Sequence, residues 1–247
     1  MNVLWYFERM QKFVGSFILA GLLSGLAGCK TDDGGRTSPE VAENNAPGPV
    51  EAPKAAIRKA DVVDGRPLVV CFGDSLTAGY GAEDGASYPD FLQKDLDGAG
   101  YRYRVVNEGI SGNTTKDGVD RLAGVERMKA AVVVLEFGGN DGLRGFDVKT
   151  TRANLATMIE GLKASGAKVV LAGITLPPDY GADYVTSFTA NYPVLAKKYG
   201  VPVLPFLLKD VYGVPGMMQG DRTHATEKGN AVVARNVLPL VEPLLRK

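Results

Sequence analysis

The stretch LVVCFGDSLTAGYGAE, residues 68–83, decides how the rest of the chain is interpreted. A run of apolar residues leads directly into Gly73, Asp74 and Ser75, and a glycine-rich segment follows. This pattern is typical of a strand that ends at a phosphate-binding loop, and equally of a strand that ends at a nucleophile. The segment contains no lysine and no Gly-Lys-Ser or Gly-Lys-Thr, so it does not predict a phosphate-binding loop.

Outward from this stretch, short apolar runs alternate with segments of helical spacing. The predicted strands are 68–72, 103–107, 131–137, 168–174 and 201–206, and the predicted helices are 88–96, 118–128, 151–164, 186–199 and 227–245. Near-continuous Val, Leu and Ile runs are typical of strands buried on both faces. The alternation therefore predicts an α/β fold with a mostly parallel sheet that is covered by helices on both faces.

The composition predicts one globular domain and excludes several functional classes. The 247 residues include 28 basic and 28 acidic side chains and 45% hydrophobic residues, which is enough for one well-cored domain. The balanced charge and the lack of a basic run argue against nucleic-acid binding. Two cysteines and a single histidine form no cluster with metal-ligand spacing, so we expect no metal and no cofactor.

Ligands bind beyond the carboxyl ends of the strands in an open parallel sheet, so the residues that follow each strand are site candidates. Ser75, Gly112 and Asn140 follow the first three predicted strands, and His224 precedes the last helix with Asp221 three residues before it. A serine becomes nucleophilic when a base takes its proton, and a carboxylate on the other ring nitrogen orients that base. The backbone N–H groups of Ser75 and Gly112 and the amide of Asn140 are suitable donors to an oxyanion.

These segments resemble the blocks of the SGNH, or GDSL-type, hydrolase superfamily over about residues 68–245. The matching residues are Gly73-Asp74-Ser75-Leu76 for the nucleophile block, Gly112 for the glycine block, Asn140 for the asparagine block, and Asp221 with His224 for the Asp-x-x-His block. The run GGNDGLRG, residues 138–145, is similar to the thioesterase I, lysophospholipase and arylesterase subgroup. One position departs from the family, which usually has proline after the histidine where this chain has Ala225.

The resemblance implies a three-layer α/β/α sandwich with a five-stranded parallel sheet in flavodoxin-like order. It also implies a serine esterase that hydrolyses small acyl esters or thioesters through an acyl-serine intermediate on Ser75, with His224 and Asp221 completing the catalytic triad. Two alternatives stay open at this point. One is a carbohydrate or peptidoglycan O-acetyl esterase, and the other is a catalytically inactive binding lipoprotein on the same fold.

The loop after the fourth predicted strand is aromatic and apolar, and it suggests a place for the acyl chain. Tyr180 and Tyr184 in this loop, together with Leu143 and Phe146, are candidates for the lining of an acyl groove. The alternative is that these side chains only pack the loop against the sheet.

The amino-terminal residues predict export and a lipid anchor. Arg9 and Lys12 precede an apolar run at 13–23, as in a secretory signal, and residues 26–29 (Leu-Ala-Gly-Cys) resemble the lipobox of bacterial lipoproteins. We therefore expect a signal peptide at 1–28, a lipidated Cys29 with a disordered tether to residue 66, and a hydrolase domain at 67–247. This organisation predicts a protein held on a membrane of the bacterial cell envelope through lipid on Cys29. The alternative is an ordinary cleaved signal that contains a cysteine.

Overall fold

The computed structural model describes residues 64–247, in which five parallel strands form one sheet in the order β2-β1-β3-β4-β5. The strands are β1 (Leu68–Gly73), β2 (Arg104–Gly109), β3 (Val132–Glu136), β4 (Lys168–Ala172) and β5 (Val203–Leu204). The chain passes from β1 to β2 on one side and then to β3 on the other side of β1. The predicted flavodoxin-like order is thus confirmed, and the crevice at the carboxyl ends of β1 and β3 is the expected ligand site.

Helices cover both faces of the sheet. They are α1 (Ser75–Ala78), α2 (Tyr88–Gly98), α3 (Thr115–Arg127), α4 (Gly139–Leu143), α5 (Val148–Ala164), α6 (Ala182–Thr189), α7 (Asn191–Tyr199) and α8 (Glu227–Val241). Helix α2 packs against α8, while α5 packs against α3 and α7. Because crossovers between parallel strands are right-handed, the change of direction at β2 puts α2 and α3 on opposite faces. The predicted three-layer α/β/α sandwich is confirmed.

The core lies on the two central strands. Residues 69–72 of β1 and all of β3 are buried, and most of their side chains have no exposed surface. This burial on both faces explains the apolar runs at 69–72 of β1 and 132–135 of β3. Strand β2, at one edge of the sheet, is partly exposed and less apolar.

Prolines shorten three of the predicted elements. The helix predicted at 186–199 is two helices, because Pro193 has no N–H with which to continue a helix from α6 into α7. The helix predicted to reach 245 ends at Val241 and continues as a 3-10 turn, Glu242–Leu244, which contains Pro243. Strand β5 has only two residues because Pro202 and Pro205 flank it and cannot donate to a ladder.

The predicted signal peptide and Cys29 lie outside the described residues. Of the predicted tether, residues 64–66 are described, and Arg66 Nη1 donates to the carbonyl of Tyr103 at 3.3 Å. From residue 64 onwards, no helix has both the length and the apolar character that a membrane crossing requires.

The end of β2 lies directly against the backbone of α1. A Cβ atom on Gly109 would be 2.1 Å from the backbone nitrogen of Ala78 and 2.6 Å from its Cα. No side chain fits in this space, so the position of α1, and with it the position of Ser75, depends on a glycine here.

We expect Gly109→Ala to lower the free energy of unfolding by about 1–3 kcal/mol, the usual cost of overpacking a filled site. Chemical denaturation followed by circular dichroism measures this loss. Gly98→Ala is the matched control, because an added Cβ at this exposed position of α2 meets nothing within 4 Å. Equal unfolding free energies for the two variants would contradict the close approach of β2 and α1.

Candidate active site

The nucleophile candidate lies at the turn from β1 into α1. Asp74 is the N-cap of α1, and its Oδ1 accepts a hydrogen bond from the N–H of Leu76 at 3.0 Å. Ser75 is the first residue of the helix, where backbone N–H groups have no intrahelical acceptor. The turn therefore presents the half-buried Ser75 with both its hydroxyl and its N–H at the carboxyl end of the sheet.

His224 and Asp221 complete a continuous chain of hydrogen bonds from Ser75. The Nε2 atom of His224 is 2.9 Å from Ser75 Oγ, and its Nδ1 atom is 2.6 Å from Asp221 Oδ2. A carboxylate only accepts, so Nδ1 carries the ring proton and Nε2 is left to accept from the serine hydroxyl. The structure thus brings together the three residues that the sequence predicted as a triad, in the geometry that proton transfer from serine to histidine requires.

Asp221 is held by its own loop. Its Oδ1 accepts from the backbone N–H groups of Thr223 at 2.9 Å and His224 at 3.0 Å, and Arg222 between them is left-handed with φ 57°. Burial alone would raise the pKa of Asp221, but the hydrogen bonds from the His224 ring and from these N–H groups outweigh it and lower the pKa to about 2. Asp221 is therefore ionised at neutral pH.

The loop that carries His224 has Ala225 where the resemblance leads us to expect proline, and hydrogen bonds from Gln219 hold this loop in place. The backbone N–H of Gln219 donates to the carbonyl of His224 at 2.8 Å. Its side-chain Nε2 donates to the carbonyl of Ala225 at 2.9 Å and to that of Tyr80 at 2.7 Å. Gln219 thus links the loop that carries His224 to the segment that follows the nucleophile helix.

Tyr80 was not among the predicted site residues, although it lies in the stretch that carries Ser75. Its ring centroid is 4.6 Å from that of His224, with the planes tilted by 43°. The ring lies against the imidazole, and Tyr80 as a whole is 54% exposed. Sequence spacing gives no signal for this contact or for the Gln219 bridge, because both arise only when distant segments meet.

The candidate oxyanion donors Gly112 and Asn140 lie on the loops that follow β2 and β3. Gly112 has φ 82° and is exposed, and its carbonyl accepts from Arg144 Nη2 at 3.2 Å. Asn140 Nδ2 donates to the carbonyl of Asn113 at 2.9 Å and to Asp74 Oδ2 at 3.3 Å. These contacts place the amide nitrogen of Asn140 beside the turn that carries Ser75.

Hydrogen bonds to the side chain of Asp141 hold helix α4, which carries Asn140, in place. This side chain is buried and accepts from both the backbone N–H of Thr115, at 2.9 Å, and the hydroxyl of Thr115. The hydroxyl of Thr151 donates to the same carboxylate at 3.3 Å. Asp141 thus joins α4 to α3 and α5, and makes the position of Asn140 depend on three packed helices.

The four residues predicted to line an acyl groove lie on two segments, 143–146 and 180–184, that hydrogen bonds join; Leu143 ends α4 and Tyr184 is in α6. The hydroxyl of Tyr180 donates to the carbonyl of Leu143 at 3.1 Å, and that of Tyr184 donates to the carbonyl of Phe146 at 2.8 Å. The hydroxyl groups thus hold the two segments together, while Leu143, Phe146 and Tyr180 each keep about 40% of their surface exposed. Among residues 64–247, no group of three His, Cys, Asp or Glu side chains is arranged to hold a metal ion.

Comparison with known proteins points to one family. Residues 71–232 match the GDSL-like Lipase/Acylhydrolase family. The chain is 44% identical over 174 residues to the esterase TesA of Pseudomonas aeruginosa. The aligned residues cover 70% of this chain and 87% of that protein. It is 38% identical over 178 residues to thioesterase 1/protease 1/lysophospholipase L1 of Escherichia coli, with coverages of 72% and 84%. The fold is similar to a crystal structure of TesA with a TM-score of 0.70 and 42% identity, over 72% of this chain and 99% of that one.

The low pKa of Asp221 predicts a pH-dependent stability. Because the pKa is about 2 in the folded chain and 3.8 for an unperturbed aspartate, the ionised side chain stabilises the fold above about pH 4. This stabilisation is lost as the pH falls toward 2. We expect Asp221→Asn to melt below the wild type at pH 7, and the gap to shrink between about pH 4 and pH 2. Thermal melts across this range measure it, with the exposed Asp84→Asn as the control for loss of a charge. A difference in melting temperature that does not change with pH would contradict the lowered pKa of Asp221.

Proposed function

The chain belongs to the GDSL-like lipase/acylhydrolase family, and we propose that Ser75 is the nucleophile with which it hydrolyses acyl esters and thioesters. The observation that carries this proposal is the 2.9 Å contact between Ser75 Oγ and His224 Nε2, continued from the histidine to Asp221. The chain is a serine hydrolase of ester bonds whose substrates are small acyl esters or thioesters, and its relatives are named as an esterase and a thioesterase.

In the first half of the reaction, Ser75 Oγ attacks the carbonyl carbon of the substrate while His224 Nε2 takes the hydroxyl proton. Asp221, ionised and bonded to Nδ1, stabilises the imidazolium that forms. The carbonyl oxygen becomes an oxyanion, for which the N–H groups of Ser75 and Gly112 and the amide of Asn140 are the proposed donors. The tetrahedral intermediate then collapses, and the leaving alcohol or thiol takes the proton from His224.

In the second half, water attacks the acyl-serine ester and gives its proton to the same Nε2 atom. Collapse of the second tetrahedral intermediate breaks the bond to Ser75 Oγ, returns the proton to the serine and releases the carboxylic acid. Every proton transfer passes through His224 Nε2, and the first and the last of them exchange the proton with Ser75 Oγ, so the two side chains act as one unit.

We therefore expect Ser75→Ala and His224→Ala each to lower kcat by about 10⁴- to 10⁶-fold, and the double variant to be little worse than either single variant. Steady-state kinetics on a soluble p-nitrophenyl ester measure these losses. Ser165→Ala, which removes a hydroxyl at the end of α5, is the control for general damage. Losses that multiply in the double variant would show that the two side chains do not act as one unit.

We propose that the acyl chain of the substrate lies along the two paired segments 143–146 and 180–184, which carry Leu143, Phe146, Tyr180 and Tyr184. Support comes from the position of Leu143 on the same short helix as Asn140, and from the exposed surface of Leu143, Phe146 and Tyr180. Exposed large apolar side chains that cluster at a site are typical of a binding surface.

Phe146→Ala should lower kcat/KM about four- to fifteenfold for octanoate esters and little for acetate esters. One or two lost methylene contacts, at about 0.8 kcal/mol each, correspond to this factor. The control is Val194→Ala on α7, which is exposed to a similar extent. Equal losses on acetate and octanoate would contradict the groove, and a wild type that prefers acetate would favour an O-acetyl esterase.

We further propose that the protein is a lipoprotein of the bacterial cell envelope, anchored through lipid on Cys29. The support is in the sequence: the apolar run at 13–23, the lipobox-like residues 26–29 and the proline-rich segment that follows. Several acyl chains on one residue hold a protein on a membrane far better than a single chain does.

The only tryptophan in the chain, Trp5, makes this anchor testable. Processing before Cys29 removes Trp5, so protein isolated from membranes should show tyrosine emission alone and should partition into the detergent phase. Cys29→Ser should block lipidation and this cleavage while activity on a soluble ester persists. Wild-type protein that retains tryptophan emission, or that partitions into the aqueous phase, would refute the anchor and leave the esterase assignment intact.

A further inference from the structure

Two buried carboxyl groups lie beneath the turn that carries Ser75, and the reaction described above uses neither of them. Asp74 is 1% exposed, and Glu136 at the end of β3 is fully buried. Glu136 Oε2 accepts from the backbone N–H of Asp74 at 3.2 Å and from the hydroxyl of Thr77 at 2.8 Å. Its Oε1 atom is buried without any hydrogen-bond partner among residues 64–247. An ionised carboxylate in this position would be strongly destabilising.

The elements around Glu136 do not neutralise a charge on it. Tyr88 on α2 and Tyr192 on α7 face it as uncharged phenols, whose hydroxyl groups bond to Thr77 and to the carbonyl of Phe137. Burial raises the pKa of Glu136 well above its ordinary value, and the negative charge of Asp74 raises it further.

Arg121, the nearby cation on α3, makes its hydrogen bonds to groups other than Glu136. The guanidinium of Arg121 donates to the carbonyls of Gly73 and Glu108, at 2.7 Å and 2.8 Å, and to the side chain of Asn113. These bonds join the carboxyl ends of β1 and β2 to the loop after β2, and they leave Glu136 with only neutral donors.

Asp74 differs from Glu136 because both of its oxygens have donors. Oδ1 accepts from the N–H of Leu76, and Oδ2 accepts from Asn140 Nδ2. Burial raises the pKa of Asp74 to about 6, while the bond from Leu76, the interactions with Glu136 and Asn140, and the nearby His224 act against the rise. When a pair of neighbouring acids shares a buried site, one of them ionises first, and here the donors favour Asp74.

We propose that Asp74 and Glu136 share a single negative charge, with the proton on Glu136 and the charge on Asp74, and that Asp74 is thereby a positioning residue for Asn140. A carboxylate only accepts hydrogen bonds, so it selects the nitrogen and not the oxygen of the Asn140 amide. The carbonyl of Asn113 makes the same selection from the other side. The amide nitrogen of Asn140 is thus oriented toward the turn that carries Ser75. Of its two hydrogen bonds, the one to Asp74 is the longer, and the same N–H group donates to the oxyanion when substrate is bound. This inference rests on the proposed role of Asn140 as an oxyanion donor.

A double-mutant cycle tests the positioning role. Asn140→Ala should lower kcat by about 10²- to 10³-fold with little change in KM, the usual effect of removing one oxyanion donor. Asp74→Asn should lower kcat by about ten- to a hundredfold, because its amide cannot accept from both Leu76 and Asn140. In the Asn140→Ala background the same change should cost no more than about twofold. Circular dichroism melts verify that each variant is folded.

The outcomes of the cycle separate the two proposals. Equal losses from Asp74→Asn in both backgrounds would overturn the positioning role and leave the proposed function standing. An Asn140→Ala variant with an unchanged kcat would overturn the oxyanion role itself, and the positioning role with it.

Glu136→Gln tests the location of the proton, because an amide imitates the neutral acid. The variant should keep its melting temperature and should keep kcat and KM within about twofold of the wild type. The infrared spectrum of the wild type at pH 7.5 should show the C=O stretch of a protonated carboxylic acid. Glu136→Gln should lose this band, and Asp74→Asn should keep it. A wild type without the band, or a folded Glu136→Gln variant as slow as Asp74→Asn, would overturn the shared charge.

Discussion

The contact between Ser75 Oγ and His224 Nε2 joins two segments that lie 149 residues apart, and the rest of the site depends on it. Strand β1 is buried on both faces, so it supplies a fixed point from which α1 begins. The histidine comes from a loop outside the sheet, and Gln219 ties this loop to Tyr80 and thus to the nucleophile segment. Precise placement of a general base increases the rate by several orders of magnitude. A buried strand fixes Ser75 and a hydrogen-bonded loop fixes His224, so both partners of the contact are held in place.

Much of the fold is predictable from the sequence because the central strands are mostly apolar and are buried on both faces. The runs that became β1 and β3 have no other stable environment than the middle of a covered parallel sheet. The errors in the predicted secondary structure have two origins, prolines that interrupt helices and helices that are too short to be recognised. Pro193 divides one predicted helix and Pro243 ends another, while α1 and α4 are too short to show helical periodicity.

The site is predictable to the extent that its residues occur in short local patterns. Asp221 and His224 are three residues apart, and Ser75 comes two residues after the end of β1, so spacing alone identifies them as candidates. Glu136 and Gln219 act through contacts to partners 62 and 139 residues away, which no local pattern encodes. An acidic residue inside the apolar run of β3 was the available signal for Glu136, because a carboxyl group is seldom buried without a reason.

Labelling with a fluorophosphonate tests the central claim, that His224 activates Ser75 as the nucleophile, most directly. Such a probe forms a covalent adduct only with a serine that is already activated, and it is independent of the choice of ester. Intact mass and peptide mapping should show one adduct on Ser75 in the wild type, and almost none in His224→Ala. An adduct on another serine, or undiminished labelling of Ser75 without His224, would contradict the account.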